Sequence, residues 1–409
     1  MDPIPAFLVA ILLVGVMTAR IGLSPFLSLV VSALVFGVLV GMGSELTGTV
    51  STGLARIFSA LAIIVFSGSV IAEQLRRSRA VERIVADLLL LVGQKRGLFA
   101  SGLSGYLVAL PAMCPLTSYL ILEQVVREMG RTEGGSARRY LYSAALFSLI
   151  SFNLVYPSPV MVILTGSLGV DPLESVKFGL PLSLLLLVFA FLYLNRFSVV
   201  EETVAPAQTA PLPPRLLSWA PLALPLALIV VGLFSSDLWF FGSPDVALLA
   251  GALLSVAVAK KEAAEMIRAA TRRAGVIIFD LCGAGAFGYV IAESGLGPDL
   301  YAGLGQLVPA VVLPFLVASL IQLAQGSRVV TVVIAAEMMS GYPLEPVTLL
   351  FSIAAGAYLF SSFSDPYFWL VKDTTGSGLK EALIGYTLSL TICGLLVFLA
   401  TILRLLLLV

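Results

Sequence analysis

Histidine is absent from this chain, and charged residues are scarce. Of the 409 residues none is histidine and only 12% are charged, whereas soluble domains are about a quarter charged. The absence of histidine excludes His-based triads and HExxH zinc sites, and it removes the usual proton-relay side chain. The 24 basic and 24 acidic residues balance, so there is no bulk electrostatic basis for binding nucleic acid.

The three cysteines give no sign of a functional or structural site. Cys114, Cys282 and Cys393 are scattered, each inside an apolar segment, so neither a metal site nor a disulfide framework is expected. No catalytic residue set and no cofactor is predicted. The first residues, Met-Asp-Pro-Ile-Pro, lack the basic region of a signal peptide, and we expect the first apolar block to be retained.

Apolar sequence, in contrast, is abundant and comes in blocks. Hydrophobic residues make up 59% of the chain, in blocks about as long as a bilayer-spanning helix. Backbone groups in lipid must be paired internally, so the blocks predict an all-α, multi-pass protein of the cell (inner) membrane. Ten crossings are predicted, at residues 6–22, 26–43, 57–75, 140–170, 176–195, 217–234, 244–259, 274–294, 347–371 and 381–405.

Two further apolar stretches are interrupted in the middle. Residues 98–127 break at Pro111 and Pro115, and residues 309–341 break around Gly326. Each half is short for a crossing, so both stretches are predicted to be re-entrant hairpins. This layout puts the basic residues of 76–96 and most other basic residues on the inner side, as the positive-inside rule requires, and both termini outside.

The two halves of the chain resemble each other. Val70-Ile71-Ala72-Glu73 recurs as 290–293, and Ser24-Pro25 recurs as Ser243-Pro244. Each half holds five crossings and a hairpin, and an odd number of crossings inverts the second copy. We therefore predict two inverted repeats, 1–195 and 217–409, joined by a cytoplasmic linker at 196–216. Inverted repeats with broken helices are typical of secondary transporters, and the breaks indicate the binding site.

The predicted site combines the two hairpin tips with broken helices at 140–170 and 347–371. Unwound backbone in a membrane needs protein, water or ligand to satisfy it, and helix N-termini there attract anions. The candidate substrate-binding residues are Thr117, Ser118, Asn153, Ser158, Gln325, Gly326, Ser327 and Arg328. The candidate ion-coupling residues are Asp280, Ser364 and Asp365.

Two charged candidates have alternative structural interpretations. The planar guanidinium of Arg328 suits bidentate carboxylate binding, but it could instead pair with a nearby acid or reach the outer surface. Asp365 lies at a depth where a charge is costly unless it is paired or functional, yet it could also cap the helix that follows. For Thr117 and Ser118 the alternative is bonding back to helix carbonyls.

Several motifs resemble the gluconate permease (GntP) family of proton symporters. Ser364-Asp365-Pro366-Tyr367-Phe368-Trp369-Leu370-Val371-Lys372 is similar to that family's Asn-Asp-Ser-Gly-Phe-Trp-Leu-Val-Lys segment, and Ala324-Gln325-Gly326-Ser327 resembles its second hairpin. The resemblance implies the ion-transporter fold, with a scaffold, a mobile transport region and assembly as a homodimer. Phe152 and Ser158 stand where the family has histidines, and Arg328 replaces a small residue, which suggests a different substrate.

We therefore expect a symporter that takes up a small organic anion, such as a sugar acid or another carboxylate, together with H⁺. Sodium coupling stays open because Ser, Asn and Asp oxygens also bind Na⁺. An intramembrane enzyme is disfavoured by the lack of histidine and of a Gly-x-Ser-x-Gly element. A channel would need a pore lined by repeated polar residues, and a pure scaffold would not need two matched sets of breaks.

Overall fold

The fold is described by a computed structural model covering residues 2–93, 96–132, 136–196, 211–304 and 308–408. Within these ranges the chain is helical and contains no β-strand. Most of the predicted linker, residues 197–210, lies outside the described residues. Arg215 and Leu216, which were assigned to the linker, instead begin a helix.

The described residues before the linker form nine α-helices. They are α1 Pro3–Ala19, α2 Pro25–Val40, α3 Leu46–Arg77, α4 Ala80–Val92, α5 Gly97–Ala112, α6 Pro115–Thr132, α7 Ala137–Leu154, α8 Pro159–Leu168 and α9 Pro172–Arg196. The following part forms α10 Arg215–Phe234, α11 Trp239–Gly242, α12 Pro244–Ala259, α13 Ala263–Glu293, α14 Leu296–Leu304, α15 Val312–Gln325, α16 Arg328–Met338, α17 Pro346–Gly356, α18 Pro366–Thr375, α19 Leu379–Ala382 and α20 Ser389–Leu408.

Several of these helices are long and apolar enough to span a bilayer. Among the described residues there are six such stretches: Gly43–Arg77, Ala137–Leu168, Pro172–Arg196, Arg215–Phe234, Pro244–Glu293 and Leu379–Leu407. The number is smaller than the ten predicted crossings partly because α1 and α2, with 17 and 16 residues, fall among the shorter apolar helices. At about 1.5 Å per residue they are slightly shorter than a hydrocarbon core about 30 Å thick.

Helices α3 and α13 cross with their backbones in close contact. A Cβ atom at Gly53 would collide with the backbone of Gly285, and a Cβ atom at Gly285 would collide with Gly53 and Ile57. Small residues allow this approach, as is usual where membrane helices pack without a hydrophobic driving force. The crossing therefore joins the two halves of the chain through their main chains.

The helix pairs α5–α6 and α15–α16 are helical hairpins. The start of α5 lies beside the start of α7, where Ser143 Oγ donates to the carbonyl of Leu98 over 2.8 Å, and α7 follows directly after α6. In the second pair the Tyr342 hydroxyl donates to the carbonyl of Ala310 over 2.9 Å. Each pair thus returns to the end of the molecule where it began. Re-entry from one side of a membrane stays a prediction.

Two helical segments are interrupted, between α7 and α8 and between α17 and α18. Each second helix begins with a proline, at Pro159 and Pro366, preceded by a side-chain cap. Ser158 Oγ accepts from the amide of Met161 over 3.3 Å, and Asp365 Oδ1 accepts from the amide of Tyr367 over 2.8 Å. A capping side chain followed by proline is a strong local helix start, which explains why both helices begin there.

Candidate functional site

A buried ion pair between Arg328 and Asp365 lies at the centre of the candidate site. Arg328 begins α16 directly after the second hairpin tip, and Asp365 ends the break before α18. Their closest atoms, a guanidinium nitrogen and Asp365 Oδ2, are 3.2 Å apart, and the two residues are 5% and 2% exposed. Both alternatives for these residues are therefore realised, since Arg328 pairs with a nearby acid and Asp365 caps a helix.

Hydroxyl groups complete the surroundings of this pair. The guanidinium of Arg328 donates to Ser361 Oγ over 2.7 Å, and the Tyr386 hydroxyl donates to Asp365 Oδ2 over 2.8 Å. Arg328 Nε, in contrast, is buried and has no hydrogen-bond partner among the residues that the structure describes. The site thus holds one charge of each sign and one unused guanidinium donor.

Tyr386 reaches the ion pair from an irregular turn of a helix. Leu383–Leu388 form a π-helical turn between α19 and α20. A π turn fits an extra residue into one turn of helix and is often found at functional sites. Nothing in the sequence pattern signals this turn, because the segment reads as an ordinary apolar crossing.

The tip of the second hairpin forms its own polar network. Gln322 Nε2 donates to the carbonyl of Gly326 over 2.8 Å, and Thr331 Oγ1 donates to Gln322 Oε1 over 2.8 Å. Gln325 Oε1 accepts from the amide of Ser327 over 3.0 Å. The predicted site residues Gln325 and Ser327 therefore fix the shape of the tip, together with Gln322 and Thr331, which were not among the predicted site residues.

Gly326 packs against the backbone of the break before α18. Its φ angle is +78°, and a Cβ atom there would collide with the carbonyl of Ser364 and the amide of Asp365. The sequence predicts that a glycine here lets a ligand approach the backbone, but in this structure the approaching group is the chain itself. Ser364 adds a side-chain bond, because its Oγ donates to the carbonyl of Leu323 over 2.8 Å.

The first broken helix contributes an unsatisfied amide. Asn153 is fully buried near the end of α7, and within the described part of the chain neither its Oδ1 nor its Nδ2 has a hydrogen-bond partner. Such a group costs free energy unless something else binds it. The end of α7 meets the second broken helix, since Ser148 Oγ lies 3.0 Å from the Tyr367 hydroxyl. Ser158, in contrast, is occupied as the cap of α8.

The first hairpin tip faces a separate cavity of about 730 Å³. Thr117 lines this cavity with Cys114 of the tip, opposite the arginines of α13. Ser118 is turned away, because its Oγ donates back to the carbonyl of Cys114 over 2.9 Å. The structure does not join these two candidates to the Arg328–Asp365 pair by any hydrogen bond or ion pair described here.

Asp280 also lies apart from the ion pair. Its Oδ1 accepts from the amide of Phe26 over 3.1 Å and so satisfies a free donor at the start of α2. Pro25 opens that helix, and the amide that follows it has no partner within the helix. The observed role of Asp280 is therefore to hold α2 against α13. A role in ion coupling stays a prediction.

These features define a multi-pass membrane transporter: apolar helices of bilayer-spanning length, two interrupted segments and two hairpins that bring buried charges together. The comparisons agree with this class. The profile of the GntP family permeases matches residues 3–408. The chain therefore belongs to the GntP permease family, and it is a permease rather than an enzyme.

Relatives in this family resemble the chain along almost its whole length. The low-affinity gluconate transporter of Escherichia coli K12 is 25% identical over 421 residues, which cover 94% of each chain. The Gnt-II system L-idonate transporter of the same organism is 24% identical over 418 residues, covering 92% of this chain and 93% of the relative. An uncharacterized permease of Haemophilus influenzae is 24% identical over 437 residues, covering 95% and 89%.

A similar fold is seen in the crystal structure of the Alcanivorax borkumensis YdaH transporter. The two structures agree with a TM-score of 0.60, and the match covers 88% of this chain and 87% of that one. The sequence identity is 16%, so this likeness concerns the fold alone.

Proposed function

We propose that this permease is a secondary transporter that carries a small organic anion, of the sugar acid or related carboxylate class, in symport with a cation. The proposal rests mainly on Arg328, whose guanidinium is buried at the hairpin tip and whose Nε donor is not used by any described residue. A guanidinium is well suited to bind a carboxylate, and a charge buried in a membrane protein is rarely without a function.

In this proposal the first broken helix binds the hydroxyl groups of the substrate. The buried amide of Asn153 offers two donors and an acceptor that none of the described residues uses. Sugar acids carry hydroxyl groups beside their carboxylate, and the names of the Escherichia coli relatives refer to gluconate and L-idonate. Phe152 and Ser158 replace the family's histidines, and these departures favour a different member of the same substrate class.

Ion pairs between helix ends support the proposed membrane layout. The residues assigned to the inner side pair with one another: Arg77 with Glu265 at 3.6 Å, Arg215 with Asp87 at 3.0 Å and Arg138 with Glu381 at 3.5 Å. Those assigned to the outer side do the same: Arg56 with Glu337 at 3.7 Å and Arg404 with Glu345 at 2.6 Å. This sorting supports the grouping of helix ends at two opposite faces that the proposed layout requires. That layout has two inverted repeats with re-entrant hairpins and both termini outside, in the inner membrane.

Burial of the site supports transport by alternating access. Arg328, Asp365 and Asn153 are all buried, so a substrate reaches them only after the surrounding helices separate. The hairpins and broken helices are the elements expected to move, and the α3–α13 crossing is the part expected to stay fixed, because its backbones are in contact. A channel would instead need a continuous polar pore.

The test is uptake by the purified protein in proteoliposomes. Radiolabelled sugar acids, hydroxy acids and dicarboxylates are offered under an imposed proton gradient and then under a sodium gradient. Protein-free liposomes and a neutral sugar alcohol serve as controls. We expect accumulation of a carboxylate under one of the two gradients. If the folded protein moves none of these anions under either gradient, the proposed function is wrong.

A further inference from the structure

We propose that Arg328 exchanges one carboxylate for another during transport: it pairs with Asp365 in the empty protein and with the substrate carboxylate once Asp365 has bound a proton. The inference rests on the proposed function and specifies its coupling. It assigns one proton to each monovalent organic anion, and it makes the loaded site as neutral as the empty one.

Charge accounting in the buried site leads to this stoichiometry. Arg328 and Asp365 together carry no net charge, and both are shielded from water. A substrate anion added to the intact pair would leave one uncompensated negative charge in a medium where isolated charges are strongly disfavoured. A proton taken from water by the Asp365 carboxylate removes that charge. The Arg328–Asp365 ion pair is then lost, and an ion pair between Arg328 and the substrate replaces it.

The geometry leaves room on Arg328 for this exchange. Only one oxygen of Asp365, Oδ2, contacts the guanidinium, because Oδ1 is engaged by the amide of Tyr367. A carboxylate can bind a guanidinium through two parallel hydrogen bonds, and Arg328 Nε is unused. A substrate carboxylate that binds Nε together with the neighbouring Nη2, which now donates to the hydroxyls of Ser361 and Tyr386, can therefore form two bonds to Arg328 where Asp365 forms one.

A proton on Asp365 also has an acceptor in place. The Tyr386 hydroxyl lies 2.8 Å from Oδ2, and a hydroxyl group can turn from donor to acceptor. The guanidinium of Arg328 cannot accept a hydrogen bond, so Tyr386 is the group that receives the new O–H. Asp365 Oδ1 meanwhile keeps its bond to Tyr367, so the start of α18 stays capped in both protonation states.

The titratable groups facing Asp365 come from several elements. They are Arg328 of α16, Tyr386 of the π turn and Tyr367 of α18, and Tyr358, which follows α17, faces Arg328. The three tyrosines are neutral at physiological pH in the absence of a strong cause. Asp365 is the carboxylate of this set, and the proton is therefore assigned to it.

The decisive variant is Asp365→Asn, because asparagine caps a helix as well as aspartate does but carries no charge. Substrate binding to the purified protein is measured by equilibrium binding of a radiolabelled carboxylate that the parent transports, at several pH values in sodium-free buffer. For the parent, one proton taken up with each anion predicts that the dissociation constant rises about tenfold per pH unit. For Asp365→Asn we expect a dissociation constant that stays constant within about twofold.

Transport by the same variant gives a second readout. Asp365→Asn is expected to exchange labelled for unlabelled substrate across the liposome membrane, but to lose accumulation driven by a proton gradient. Arg328→Gln is expected to lose binding, and it leaves Asp365 without its counter-ion, so it could also fail to fold. The double variant Arg328→Gln with Asp365→Asn removes both charges together; it is expected to fold and still not to bind.

The outcomes separate the two proposals. If the parent moves no carboxylate at all, the proposed function fails. If the parent transports a carboxylate and Asp365→Asn keeps the parent's pH dependence, the function stands and the exchange at Arg328 is overturned. A parent affinity that follows sodium concentration instead of pH would overturn the assignment of a proton. Binding by the folded double variant would overturn the role of Arg328.

Discussion

The Tyr119 hydroxyl lies 2.6 Å from Thr374 Oγ1 and joins the first hairpin to the second broken helix. Tyr119 is fully buried on α6, and Thr374 is near the end of α18. A second bond joins the same elements, because the guanidinium of Arg127 donates to the carbonyl of Thr374. These contacts make α6 and α18 one unit, although they come from different halves of the chain.

Tyr119→Phe is predicted to lower stability by about 1 kcal/mol, the usual net contribution of one hydrogen bond. The loss is modest because Thr374 Oγ1 keeps a bond to the carbonyl of Leu370 at 2.8 Å and is not left without a partner. Thermal unfolding in detergent measures the change. Tyr301→Phe, at a ring that is 41% exposed, is the matched control and is expected to have little effect.

Gly326→Ala is predicted to abolish transport and to reduce the yield of folded protein. The substitution combines a positive φ angle with a collision against the backbone of Ser364 and Asp365. Gly341→Ala is the control, since Gly341 has φ +74° but open space around its Cβ position. We expect the control to cost about 1–2 kcal/mol from backbone strain alone. Equal effects of both substitutions on folded yield and uptake would contradict the packing account.

Glu345→Gln is predicted to destabilise the protein in a pH-dependent way. Glu345 precedes α17; burial acts to raise its pKa, but hydrogen bonds from Arg404 and Thr348 and the charge of Arg404 together outweigh burial and lower the pKa from 4.5 to about 2. Because the folded-state pKa is depressed, the stabilisation is fully present above the unfolded pKa and is lost as the pH falls toward about 2. The side chain is 36% exposed, so we expect about 1 kcal/mol near neutral pH.

Melting temperatures of parent and Glu345→Gln test this dependence. The difference between them should stay constant from about pH 8 to pH 5 and narrow only in stronger acid. Lys177→Gln, which removes an exposed pair with Glu174, is the control and is expected to change little. If the difference in melting temperature disappeared well above pH 5, the pKa of Glu345 would not be depressed in the folded protein.

Cys114 is predicted to be the cysteine that reacts with a membrane-impermeant thiol reagent. It lines the cavity between α6 and α13 and is partly exposed, whereas Cys282 and Cys393 are buried. The cavity opens beside Arg268, Arg272 and Arg273, which the layout assigns to the inner side. Labelling should therefore occur in inside-out vesicles and be lost in Cys114→Ser. Labelling from the outer side alone would contradict the proposed orientation.

Most helix ends could be predicted from the sequence, because the residues that begin or end a helix lie next to it in the chain. Ser24-Pro25, Ser158-Pro159 and Asp365-Pro366 each place a capping side chain before a proline, and each opens a helix in the structure. The start of α13 was harder to predict from the sequence. The predicted crossing begins at residue 274, but the helix begins at Ala263, since a charged segment continues the same helix beyond the apolar block.

The partners of the buried polar groups were much harder to predict from the sequence. The sequence indicates that Arg328 and Asp365 need partners, but not that they pair with each other across 37 positions. Asp280 shows the same limit, because its partner Phe26 is 254 positions away. Tyr386 carries no recognisable signal, since its place beside Asp365 depends on a helix turn that departs from the α pattern.

That π turn has a geometric consequence for the end of the chain. One extra residue in a turn displaces everything after it by one position, which corresponds to about 100° of rotation around the helix axis. The face that α20 presents to α17 is therefore not the continuation of the face that α19 presents at its start. Deleting one residue from Leu383–Leu388 would restore an ordinary α-helix and swing Tyr386 away from the carboxylate it now contacts. The side chains before and after the π turn therefore follow two different helical registers, and the register changes at Tyr386, the residue that contacts the ion pair.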